Sequence, residues 1–294
     1  RSFYSYTRTH EEAADQAAIR NLNATETSAR GLLEFFERIN SNERQIYDDI
    51  NPYTRTHPLT EERISLLKNH INQSPYTDNK TPADLQRRFK RVAVKLEAFL
   101  TNPDKVLRKY DGDSVYDVYA RAIALHRQGH LARSLAELDQ LIVQNPDDPY
   151  YIELKGQIYY EAGQAANAVQ YYKKANLLLQ DAPLVKIQLA SAMLSVQSSE
   201  YNDEAIKLLK QASITEPRNP FIYKKLAIAY GNVGDIAMSN LASAEYALLD
   251  ESYSRAIAFA KQAVEELEKR DNAKQEILRA KDIIRFALRE QEAK

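Results

Sequence analysis

The chain has 294 residues, 44% of them hydrophobic and 28% charged, with a formal net charge of −1 and no cysteine. The near-neutral balance excludes an overall basic field that would recruit nucleic acid. The missing thiols exclude disulfides, thiolate zinc sites and cysteine nucleophiles, a composition that suits an oxidising compartment. Abundant Ala, Leu, Glu, Lys and Gln with only 7 glycines predict an all-α protein with no strand. No apolar run approaches the ~20 residues needed to span a bilayer. Because it opens on Arg1 rather than Met, the sequence is expected to be a processed chain or an excised piece, with targeting signals upstream.

Residues 1–8 are aromatic and polar without a clear period. Thr9 as N-cap and Glu12 three residues later predict a helix start, continuing through Ala17, Ala18, Ile19 and Leu22. A second helix is predicted from Ser28 to Ile39, with Leu32, Leu33, Phe35, Phe36 and Ile39 as its apolar face. Asn51-Pro52 and His57-Pro58 punctuate an extended connector, and Thr60 opens a short helix bearing Ile64, Leu66 and Leu67. A polar linker covers Ser74 to Pro82. A long amphipathic helix then runs from Ala83 to Leu100 through Leu85, Phe89, Val92, Leu96 and Phe99. The basic run Arg87-Arg88-Phe89-Lys90-Arg91 reads as a solvated helix face. Asn102-Pro103 and Asp111-Gly112 separate this helix from the remainder of the chain.

From Tyr110 the sequence repeats itself. Gly129 and Gly163 are 34 residues apart and Gly234 comes after a further 71, two periods plus three; Pro146 and Pro217 are also 71 apart. Small residues recur where two helices must touch, as Ala122, Ser134, Gly156, Ala168, Ala190, Ala205, Ala212 and Ala227. Leu125, Leu138, Tyr159, Tyr172, Leu209, Tyr223, Leu226 and Tyr230 fill the space beside them. The pattern resembles the tetratricopeptide repeat, a helix-turn-helix unit that stacks into a solenoid. About four repeats are expected over residues 111–250, with the three extra residues absorbed at Gln197-Ser198-Ser199-Glu200. Two capping helices are expected over 251–294, Tyr253 to Leu267 and Ala273 to Leu288.

The amino-terminal helix carries Glu11-Glu12-Ala13-Ala14-Asp15, and Glu11 and Asp15, four apart, leave one helical face. Two acids there also read as the solvated start of a helix favoured by its macrodipole. Taken in order, E-x-x-A-D, F-F-x-R-I and H-P-x-x-x-E-R (His57 to Arg63) resemble the zinc metallopeptidases that include HtpX and the CaaX prenyl endopeptidases. The likeness is strongest to soluble bacterial members that join this catalytic domain to tetratricopeptide repeats. It implies a helical metallopeptidase remnant over residues 1–74, a linker and connecting helix over 75–110, and the repeat solenoid beyond.

The resemblance also implies roles. Glu11 matches the third zinc ligand, and Asp15 an acid that orients a zinc-bound histidine from outside the coordination sphere. His57 and Arg63 match residues beside the active site that contact substrate or the oxyanion. The alternative for His57 is a turn residue and for Arg63 a surface ion pair. H-E-x-x-H is absent: His126 and His130 are four apart, but Arg127 comes directly after the first and Gly129 interrupts the pair. Catalytic zinc needs three protein ligands and an open position, so zinc is expected in an intact parent protein and none on this chain alone, which is expected to be inactive. Envelope protein quality control, in the periplasm or at a membrane, and docking to an outer-membrane assembly complex are implied by the resemblance only. The competing expectation is a non-catalytic repeat adaptor.

Fixed positions on the first helix of each repeat should line a protein-binding groove: Tyr116, Tyr119 and Ile123; Tyr150, Glu153, Gln157 and Tyr160; Leu184, Ile187 and Ser191; Phe221, Lys224 and Ile228. Such a tyrosine-rich, mixed surface suits extended or unfolded polypeptide. Nine of the 19 tyrosines fall between Tyr110 and Tyr172, which places the expected site on the first two repeats.

Overall fold

The computed structural model describes residues 2–45 and 61–292. Every regular element among them is helical. The chain divides into two compact units within one long helix, residues 1–92 and 93–294.

In the first unit, α1 (Ser2–Ala24), α2 (Arg30–Gln45) and α3 (Glu61–Gln73) enclose a small core of Ile19, Phe36, Ile64 and Leu67. The helix expected to start at Thr9 begins seven residues earlier. The capping-box residues Thr9 and Glu12 therefore sit inside α1, because nothing in residues 2–8 breaks a helix. The stretch after α3 is not a free linker. Ser28 Oγ donates to Thr77 O (2.6 Å), Asn79 Nδ2 to Glu26 O (2.7 Å), and Arg30 pairs with Asp78 at 3.0 Å. These bonds fold it back on the α1–α2 turn.

Helix α4 spans Ala83–Leu100 as expected, but its apolar stripe faces water: Leu85, Phe89, Val92 and Leu96 are all more than half exposed. The residues it buries are Val94 and Ala98, with Phe99 half-buried. Asn102 then caps a short helix missed in the sequence, α5 (Pro103–Lys109), its side chain accepting from the amides of Asp104 and Lys105.

The second unit continues as four helix pairs: α6 (Val115–Arg127) with α7 (Leu131–Gln144), α8 (Pro149–Glu161) with α9 (Ala165–Leu178), α10 (Pro183–Ser195) with α11 (Asn202–Thr215), and α12 (Pro220–Asn232) with α13 (Ile236–Leu249). Two further helices, α14 (Tyr253–Leu267) and α15 (Lys274–Glu292), close the array. It is a tetratricopeptide solenoid. Pro149, Pro183 and Pro220 each open a first helix, where a missing N–H costs nothing. Gly129, Gly163 and Gly234 end first helices at φ of 78°, 75° and 77°, the left-handed geometry that lets His130, Gln164 and Asp235 donate back to Leu125, Tyr159 and Tyr230. Gln197, one period after Gly163, takes the same position at φ 58°, and the extra residues after it form a 3-10 turn (Ser199–Tyr201).

Packing inside each pair obeys the small-residue positions. A Cβ on Gly156 would stand 3.0 Å from the ring of Tyr172, so only glycine lets α8 and α9 close to this distance. Ser134 donates to Ala122 O at 2.7 Å, and Ser239, at the same register position of the fourth pair, to Ala227 O at 2.8 Å. Ala168 and Ala205 hold that place in the middle pairs, fully buried. Each hydroxyl thus finds a partner in a region where an unpaired one would cost about 1–3 kcal/mol.

Candidate functional site

The first cluster of interest is built by α1 and α3. The four-residue spacing of Glu11 and Asp15 brings both carboxylates to one side of α1, and Arg63, on the first turn of α3, reaches across to them. Its Nε and Nη2 donate to the two oxygens of Asp15 at 2.7 and 2.8 Å. Its Nη1 lies 2.9 Å from Glu11 Oε2. Beneath the guanidinium is the ring of Phe36, with the Arg63 Cζ 4.9 Å from the ring centroid. The side chains are 5–15% exposed, so this is an interior cluster, unlike the surface pair weighed for Arg63. A planar fork on one carboxylate, a third N–H on a second and an aromatic face below is a geometry that arginine supplies and lysine does not.

Glu11, Asp15 and Arg63 are therefore gathered in one place, while His57 lies outside the described residues. Phe36, part of the F-F-x-R-I motif, was legible only as an apolar position. Among the described residues no group of three or more His, Asp or Glu side chains is placed to hold a metal ion. Glu11, expected as a zinc ligand, has its Oε2 on the buried Arg63 guanidinium. The described residues do not fit a complete zinc centre, and no chemical step is derived through the ion.

The second cluster is the concave side of the repeats. Tyr119 and Ile123, expected on an open groove, are 1% and 0% exposed. Tyr119 packs on Tyr151 with ring centroids 5.4 Å apart, and Val94 and Ala98 from the carboxyl-terminal half of α4 belong to the same core. Lys95 Nζ binds Glu153 Oε2 at 3.1 Å. The Arg127 Nη1 donates to Ala98 O at 3.0 Å and to Thr101 O, tying off the last carbonyls of α4. This part of the groove is filled from within by a helix that the sequence placed upstream as a connector. Tyr116 is half-buried, and Gln157 donates to Glu161 at 2.7 Å. Tyr160 lies 3.3 Å from Ser195 Oγ. Tyr150 stays exposed and, further along, so do Leu184, Phe221, Lys224 and Ile228 at least in part.

Comparison with known proteins bears on the first cluster directly. Residues 2–71 match Peptidase family M48. The M48 segment thus contains Glu11, Asp15, Phe36 and Arg63 together. Over most of its length the chain is similar to the beta-barrel assembly-enhancing protease of Yersinia pestis, 23% identical over 86% of this chain and 52% of that protein. It is also similar to a putative beta-barrel assembly-enhancing protease of Vibrio cholerae, 24% identical over 88% of this chain and 54% of that protein. The chain spans about half the length of these curated relatives. Among solved structures it is similar to YrrB, a TPR protein with an unusual peptide-binding site, at 17% identity and a TM-score of 0.45 over 65% of this chain and 98% of that one. The chain resembles M48 metallopeptidases joined to tetratricopeptide repeats.

Proposed function

We propose that this chain works as the distal catalytic-domain segment and the repeat domain of a longer zinc-dependent endopeptidase of the bacterial envelope. Its substrates would be misfolded or misassembled proteins, held or presented by the repeats. The observation that carries the reading is the buried grip of Arg63 on Glu11 and Asp15 within the M48-matching segment. An interior cluster of two acids and one arginine is an expensive way to join two helices, and its position suits a carboxylate that must be presented in one orientation. In this reading Glu11 is a metal ligand. Asp15 anchors Arg63 by its fork, and Arg63 fixes the plane of the Glu11 carboxylate. Arg63 is thus a positioning residue, and His57 a substrate or oxyanion contact. The chain by itself brings one ligand and is inactive. That the relatives are beta-barrel assembly-enhancing proteases supports an outer-membrane assembly complex as the partner on which the repeats would dock.

The test is metal content in the longer protease. Glu11→Gln should lose bound zinc on gel filtration and lose cleavage of an unfolded protein substrate, with the helical circular dichroism unchanged. If Glu11→Gln keeps full zinc and full activity, the ligand assignment fails; if the unsubstituted longer protein itself neither binds zinc nor cleaves, the chain is a repeat adaptor that carries an M48-like lead-in.

A further inference from the structure

The helix already seated in the groove shows what the vacant half takes. At the first two repeats, α4 shares a core with the first helices α6 and α8 and is tied to each by a polar side chain. Its apolar Val94 and Ala98 face inward, the Lys95 ammonium rests on Glu153, and Arg127 holds its terminal carbonyls. Repeats three and four present the corresponding positions two units further on, with Ile187 and Ser191, at the places of Tyr119 and Ile123, already buried between the helices and the rest open. Leu184 stands where Tyr116 stands in the first pair, Phe221 replaces Tyr150, Lys224 replaces Glu153, Ile228 replaces Gln157, and Ser195 replaces Arg127. The helices that carry them, α10 and α12, are direct neighbours.

Two differences define the missing occupant. The surface is more apolar and open: Leu184 is 61% exposed and Phe221 and Ile228 are 44% exposed, a group that monomeric proteins seldom leave to water without a partner. The charge is reversed, since Lys224 stands where Glu153 receives Lys95, and it has no carboxylate partner among the described residues. Its Nζ lies only at the 6.0 Å limit of the Tyr246 ring. The neighbouring Lys225 lies over the Phe221 ring at 5.0 Å, adding to the positive potential.

We propose that the first helices of repeats three and four dock an amphipathic helix of a protein partner. The apolar face of that helix would lie on Leu184, Phe221 and Ile228, and an acidic residue one position after an apolar one would pair with Lys224. This deepens the reading that the repeats hold protein segments and rests on it. A second copy of this chain is a poor occupant by way of its exposed α4 stripe, because Arg87, Arg88, Lys90 and Arg91 flank that stripe and repel Lys224 and Lys225. Helix-in-groove recognition reads anchors at i, i+3, i+4 and i+7, and the spacing of Phe221, Lys224 and Ile228 on α12 matches such a face.

The probe is the occupant of the first half with its sign changed and its basic run left out: a fluorescein-labelled peptide of residues 92–102 carrying Lys95→Glu, titrated with the full chain by anisotropy. This peptide should bind, and the peptide with Lys95 retained should bind about tenfold more weakly because it meets Lys224 with like charge. Lys224→Glu should invert that preference, and Phe221→Ala should weaken the Glu peptide on the order of tenfold as a lost aromatic anchor. Both substitutions lie on exposed side chains, so the melting temperature serves as a check that the fold is intact. No binding of either peptide, or binding indifferent to Lys224→Glu, overturns the proposal. Capture of carboxymethylated α-lactalbumin, a permanently unfolded protein, with equal strength by wild type and Lys224→Glu alongside that result would leave the protein-binding reading standing and remove only the helix dock.

Discussion

Three N–H groups of Arg63 end on two carboxylates that water barely reaches, which ties α3 to α1. Removing the guanidinium leaves Asp15 and Glu11 with unpaired charge in that interior, the situation that costs about 3–5 kcal/mol in other buried pairs. Arg63→Gln should therefore lower the stability of the first unit by about 3 kcal/mol, read as a shift of its urea midpoint. Arg63→Lys should recover less than half of that loss, since an ammonium cannot fork onto Asp15 and reach Glu11 together. A loss under about 1 kcal/mol for Arg63→Gln would show that water screens the cluster and that its geometry is incidental. The sequence placed Glu11 and Asp15 on one face from their spacing alone. It could not show that an arginine 48 residues later closes on both, because that pairing depends on how α3 packs, which no local period encodes.

At the scale of elements, helix ends decided how well the sequence could be read. The 34-residue punctuation was legible because three glycines supply the left-handed turn after first helices, and the four helix pairs are spaced by it. The third pair hid its turn. There Gln197 occupies the glycine position at φ 58°, and a polar residue gives no signal of that backbone state. Gln197→Gly should stabilise the protein by about 0.5–1 kcal/mol. Gly163→Ala should destabilise it by about 1 kcal/mol, although a Cβ at Gly163 meets nothing within 4 Å, so that the whole effect is backbone strain. Urea titration of both variants checks the pair, and equal stability of Gly163→Ala and wild type would remove the strain argument. Helix α4 was legible in its bounds but not in what it buries. Its strongest apolar period, Leu85 to Leu96, is exposed while Val94 and Ala98 are buried in the core of the first repeats, so the amphipathic pattern alone did not show which face packs. Apolar periodicity shows that a face wants a partner without showing whether that partner is in the same chain.

At the scale of the whole molecule, a solenoid is stabilised chiefly by contacts between neighbouring units, and its ends are its weak points. The carboxyl-terminal end is rich in small side chains: nine of the twelve buried residues of its core are alanines, with Leu241, Leu267 and Ile283 the others. Ion pairs tie its elements together: Arg279 on Glu245, Arg270 on Asp235 at 2.7 Å and Lys281 on Glu268 at 3.2 Å. Asp235 also caps α13 by accepting from the Met238 amide at 3.1 Å. Burial by itself would raise the Asp235 carboxyl, but the Arg270 guanidinium and the Met238 N–H outweigh it and hold the group below its ordinary value of 3.8. The sign of the pH dependence is set by that depression. In the unfolded chain the carboxyl takes up its proton at a higher pH than in the folded one, so its stabilisation is complete above 3.8 and is lost as pH falls through the lower folded value. With Arg270 44% exposed, solvent screening limits the effect to about 0.5–1 kcal/mol. Asp235→Asn keeps an amide oxygen for the cap and loses only the charge. Wild type should therefore exceed Asp235→Asn by about that amount at about pH 6 and match it at about pH 3, with hydrogen exchange showing α13 to α15 opening first on acidification. An equal gap at both pH values would assign the contribution of Asp235 to the cap alone and leave the end of the solenoid without an acid-labile tie at this position.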